Sequence, residues 1–146
     1  MKILCKYAND TCTTDDYFRD TPLIYAAFYG HVEVVRLLLE SGANPEKANA
    51  DQRTALHFAA WNEMLEVCRL LLDWGAKVDP LDKWKDTPLH DAARLGHLSA
   101  VKLLVERGAD VRLKNNKNLT AMDGARSELW KDVAKWLEWV SRGKGS

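Results

Sequence analysis

The sequence predicts an all-α fold: an α-solenoid of stacked helix–turn–helix units with projecting hairpin loops. Three observations predict it. Near-identical phrases recur at a constant period of 33 residues, marked by Thr21, Thr54, Thr87 and Thr120. Each phrase holds two apolar runs at helical spacing, and Gly42, Gly75 and Gly108 sit just beyond the second run. Between phrases lie polar stretches too short for another helix. Self-similarity at such a period marks units that cannot bury their apolar face alone and do so by stacking.

Each unit opens on its threonine, whose hydroxyl can accept from an amide of the next turn. Pro22 and Pro88 follow at the first helical position, where a missing N–H costs nothing. A short alanine-rich helix comes next (Ala26-Ala27, Ala59-Ala60, Ala92-Ala93), and its small side chains let neighbouring helices approach closely. Gly30 and Gly96 break it. The second helix reads VEVVRLLLES, LEVCRLLLDW and LSAVKLLVER in the first three units, apolar on one face and charged on the other. The glycines beyond it suit a left-handed cap. The links ANPEKANADQR, AKVDPLDKWKD and ADVRLKNNKNL are turn-forming and extended.

Composition narrows the function. Lys plus Arg total 21 and Asp plus Glu 21, a formal net charge of zero. A nucleic-acid or acidic-membrane partner would call for a concentrated positive field, so neither is expected. No apolar run approaches the roughly 18 residues of a membrane span, and the start lacks the pattern of a signal peptide. Three cysteines (Cys5, Cys12, Cys68) with no metal-like pairing argue for a reducing compartment, cytoplasmic or nuclear.

The phrases TPLIYAA, TALHFAA and TPLHDAA, with Gly30-His31, Gly96-His97 and the endings SGAN, WGAK and RGAD, resemble ankyrin repeats over roughly 125 residues. The resemblance implies an L-shaped stack with hairpins projecting from a concave face. It also divides the chain into one domain over 1–141: a partial repeat or N-terminal cap at 1–20, repeats at 21–53, 54–86 and 87–119, and a C-terminal capping repeat at 120–141, followed by a tail at 142–146. Residues 1–8 align one period back with VVRLLLES, as if the chain began inside a repeat. Two departures stand out. Glu63-Met64 replaces Gly-His in the second unit, which puts its inter-helix turn in question, and Asp123 and Leu129-Trp130 make the fourth unit divergent.

Positions shared by the copies are expected to hold the stack, and positions that vary to face outward. The family's contacts lie at the hairpin tips before the threonine and just after the Ala-Ala pair. Carried over, these places give Tyr17, Phe18, Phe28, Tyr29, Arg53, Trp61, Trp84, Arg94 and Leu95 as the partner-binding residues, with Asp20, Ala50, Asp51, Asn62, Lys83, Asp86, Asn116, Lys117, Leu119, Ser127 and Glu128 at the remaining contact places. Aromatics and arginine are enriched at binding hot spots, and exposed without a partner they would be a liability. Phe18 and Phe28 suit either a binding surface or sideways packing on neighbouring loops; Trp61 and Trp84 favour the partner surface. The alternating charges of Asp20, Arg53 and Asp86 read first as solvation or short ion pairs.

His57 and His90 occupy the TPLH place, where the family uses the ring to tie loops together. Cys68 falls at a core place, Trp136 matches Leu37, Leu70 and Leu103, and Trp130 and Trp139 fall at less buried places as shields for the end of the stack. No histidine pair has metal-ligand spacing, and no nucleophile–base arrangement or phosphate-binding loop appears. The expectation is a monomeric, non-enzymatic module that binds a protein or peptide, with no cofactor, metal, nucleic acid or membrane partner. The rival readings are a fragment whose aromatic face packs within a longer chain, and a small-molecule or catalytic site on the same concavity.

Overall fold

The computed structural model describes residues 19–143. The partial-repeat reading of residues 1–20 falls almost wholly outside them, and so do Tyr17, Phe18, Cys5 and Cys12. Eight helices and no strands occur among the described residues: α1 (Pro22–Tyr29), α2 (Val32–Glu40), α3 (Ala55–Trp61), α4 (Leu65–Asp73), α5 (Pro88–Arg94), α6 (Leu98–Glu106), α7 (Ala121–Ser127) and α8 (Lys131–Ser141). They pair as α1–α2, α3–α4, α5–α6 and α7–α8, and the pairs stack in chain order. The odd-numbered helices form one row and the even-numbered helices a second row behind it.

The threonines start the first-row helices as expected. Thr21 Oγ1 accepts from the Ile24 amide at 3.1 Å, and Thr87 and Thr120 accept from His90 and Asp123 at 3.3 Å. The paired alanines are wholly buried between neighbouring helices, and Leu38, Leu71, Leu104 and Leu137 form a column through the second row. Cys68 lies in that core. Each added unit thus buries the open side of the unit before it, the nearest-neighbour logic of a repeat stack.

The inter-helix turn survives where its glycine is missing. Gly30 and Gly96 adopt φ of 71° and 75°, and Glu63 and Leu129 hold the same left-handed conformation at 54° and 63°. The doubt raised by Glu63-Met64 is therefore removed: stacking contacts hold the turn and outweigh a local cost of about 1 kcal/mol. Those contacts are repetitive too. Met64 lies over Gly30 and Trp130 over Gly96, each so close that a Cβ on the glycine would meet it at 2.6 or 2.5 Å.

Trp130 does more than shield the end of the stack. Its indole Nε1 donates to the Arg94 carbonyl at 2.9 Å, just as His97 Nε2 meets the Trp61 carbonyl at 3.0 Å one repeat earlier. An indole stands in for an imidazole. Trp136 is half-buried against the core with the Lys102 ammonium 6.0 Å above its ring, so it is core only in part.

Candidate functional site: the groove beneath the hairpin tips

Each hairpin is held by an Asx side chain. Asn49, Asp82 and Asn115 each accept two amides of their own loop through Oδ1, from Asp51 and Arg53, from Trp84 and Asp86, and from Lys117 and Leu119, at 2.9–3.1 Å. The opposite atom of each side chain reaches the residue just before the threonine that opens its repeat. Asn49 Nδ2 donates to Asp20 and Asn115 Nδ2 to Asp86, both at 2.8 Å, while Asp82 Oδ2 accepts from Arg53 Nη1 at 3.0 Å. Tip and helix are joined by histidine. His57 Nδ1 accepts from the Thr54 amide, so the ring proton sits on Nε2 and is donated to the Asp86 carbonyl at 3.0 Å. His90 links Thr87 to the Leu119 carbonyl in the same way. Burial holds the His57 pKa down to about 4 and keeps its ring neutral.

These ties set the tips at a fixed angle to the first-row helices and leave a concave groove of about 810 Å³ between them. Phe28, Phe58, Trp61 and Trp84 line it, with Arg94 and Lys117 among the charged residues. Phe28 packs edge-on against Phe58 with ring centroids 5.8 Å apart. Trp84 is 45% exposed, with the Lys83 ammonium 4.4 Å from its ring centroid. Trp61 is half-buried, and the guanidinia of Arg53 and Arg94 lie 5.4 and 5.3 Å from its ring.

Arg53 departs from the outward placement expected of it. It is only 8% exposed, and it lies under the groove as the hub of a buried charge cluster. Its Nη1 donates to Asp82 and its Nη2 to Asp91 at 2.6 Å; both carboxylates are fully buried. Short ion pairs were the expected role for this tip charge, and they turn inward because Asp91 on α5 offers a carboxylate where α3 offers Phe58 and α7 Gly124.

Arg94 completes the cluster from the groove side, reaching Asp91 at 3.1 Å and Asp86 at 3.5 Å. The carboxylates of Asp82, Asp86 and Asp91 lie close enough together to hold a cation. Every one of their six oxygens, however, already accepts from an arginine, asparagine or backbone donor. Three carboxylates against two guanidinia leave one negative charge in surplus, and burial pushes Asp91 up to about 7 against the pull of both arginines. Asp82 is also raised, chiefly by burial.

Of the other expected contacts, Tyr29 and Leu95 do not line the groove. Tyr29 is exposed and packs edge-on against the lining residue Phe28 and beside Tyr25 and His31, while Leu95 is the half-buried C-cap of α5. Phe58 is a lining residue that the expected set lacks. Its signal was its place one helical turn before Trp61, which puts both rings on one face of α3.

The chain matches a family model described as ankyrin repeats in three copies, over residues 1–82, 48–115 and 75–137. It belongs to the ankyrin-repeat family. Ankyrin repeats generally mediate protein–protein interaction. No curated protein gives a significant match to this ankyrin-repeat chain. None of its described helices is long and apolar enough to cross a membrane.

Proposed function

We propose that this chain is a non-catalytic interaction module that takes an extended segment of a partner protein in the groove beneath its hairpin tips. The observation that carries the reading is the lining itself. Four aromatic side chains converge on one concavity, and Trp84 and Phe28 remain exposed there, where a surface without a partner would be polar. Phe28, Trp61, Trp84 and Arg94 are the contact residues, and Phe18 falls at the same register place as Asp51 and Trp84, with Tyr17 just before it. Binding draws on rigidity: the Asx and histidine ties order the tips in advance, so a partner does not incur that ordering cost.

The test is capture from a cell extract by the wild-type chain and by Trp61→Ala/Trp84→Ala, read by mass spectrometry after circular dichroism shows both folded. Proteins held by the wild type and lost by the folded double variant support the groove. Equal capture by the two chains would move the interaction elsewhere on the surface.

A further inference from the structure

Charges along the groove differ in how far they are already engaged. Asp51 is paired with Lys83 from the next tip. Asp86 is buried and held by Asn115 and Arg94. Among lining acids this leaves Glu128 exposed, against the exposed Lys117 and the partly exposed Arg94.

Arg94 is the best placed of these to receive a ligand. Its side chain is 38% exposed, its guanidinium plane is steadied by Trp61, and its bonds to Asp91 and Asp86 occupy two of the five N–H donors that an arginine carries. Trp61 already has the guanidinia of both Arg53 and Arg94 over its ring, and Trp84 has the Lys83 ammonium over its own, so the groove is already supplied with cations at its aromatic rings. What the groove still offers beside its aromatic floor is donors.

We propose that the groove recognises an acidic side chain of the partner segment, whose carboxylate accepts from Arg94 while Lys117 supplies a second positive charge. The inference rests on the groove reading above and names the chemistry of its ligand. Bonds from guanidinium to carboxylate are roughly twice as strong as neutral ones, and the Trp61 ring and the bonds to Asp86 and Asp91 hold the fork in position. A monoanion suits the place better than a phosphate dianion, because Asp86 and Asp91 lie directly behind Arg94.

Four pools of short degenerate peptides test this. They are identical except that the central residue is Glu, Gln, Lys or phosphoserine, and binding is read by fluorescence anisotropy. The Glu pool should bind about tenfold more tightly than the Gln pool, with a preference that weakens in salt. Arg94→Gln should abolish the preference, bringing the Glu and Gln pools to the same affinity whatever the change in overall binding. Arg94→Lys keeps the charge beside Asp91 without the planar fork; it should fold and retain part of the preference. If pools bind the wild type but not Trp61→Ala/Trp84→Ala, with no preference for Glu, the acidic assignment fails and the groove reading stands. Tighter binding of the Lys or phosphoserine pool also overturns it. Should no pool distinguish wild type from the double variant, both readings fall together.

Discussion

Arg53 and Asp82 form a buried ion pair at 3.0 Å in the place where the neighbouring repeats join Asp20 to Asn49 and Asp86 to Asn115. The polarity of the link is reversed. With an arginine at the end of the earlier tip, the later tip must present an acceptor from both sides of its Asx side chain, and only aspartate does so. Asp82 accordingly satisfies its own loop with one oxygen and Arg53 with the other.

Removing Arg53 should therefore cost far more than loss of a surface ion pair. Arg53→Ala leaves Asp82 buried without its cation and Asp91 with Arg94 alone, a cost of about 3–5 kcal/mol. Asp91→Ala in that background should recover part of it, because α7 tolerates Gly124 at the matching place. Urea denaturation of the wild type and the two variants reads the outcome. A loss under about 1 kcal/mol for Arg53→Ala would mean that water reaches the cluster and screens it.

The contact of Trp130 with Gly96 sets a second expectation. Gly96→Ala must both hold φ near 75° and place a methyl 2.5 Å from the indole, whereas at Gly108 the added methyl meets open space at φ 96°. Gly96→Ala should lower stability by about 1 kcal/mol more than Gly108→Ala, a difference that shrinks once Trp130 is alanine. An unchanged difference in the Trp130→Ala background would show that the backbone alone, not the stacked ring, makes that glycine necessary. Thermal unfolding with both double variants decides it.

The regular part of this molecule was legible because it repeats. Threonine caps, buried alanine pairs and the leucine column recur at one spacing, so each copy checks the others. The groove was legible in part for the same reason: Phe28, Trp61 and Arg94 share one register place and Asp51, Trp84 and Lys117 another, and all six line it. Arg53 could not be placed by that logic. Its direction depends on Asp91, 38 residues away at a place where no other copy carries an acid. Trp130 was hidden for a related reason: a change of residue type conceals that the same carbonyl is bonded by a different N–H.

Cys68 offers a simple probe of the core. Burial pushes its thiol up to about 12, so almost no thiolate exists near neutral pH. Iodoacetamide at pH 8 should leave the peptide containing Cys68 unlabelled in the native protein and modify it fully in urea. Native-state labelling at a rate near that of a free thiol would mean that the second row of helices opens readily.

The pH dependence of stability should show two opposed slopes. His57 has a folded pKa of about 4 against 6.5 when unfolded, so its contribution is complete above 6.5 and is lost as pH falls through 4. Asp91 has the reverse sign: its carboxyl, at about 7 when folded against 3.8, favours the folded state below 3.8 and loses that contribution as pH rises through 7. Between about pH 4 and 6.5 the two oppose each other, and the wild type should vary little on their account. Asp91→Asn should unmask the histidine, giving stability that rises with pH across this interval by up to about 3 kcal/mol. His57→Gln should do the opposite, because only the aspartate slope remains. Urea midpoints measured at several pH values for the three chains test the signs directly. A slope unchanged by Asp91→Asn would mean that Arg53 and Arg94 hold Asp91 ionised throughout.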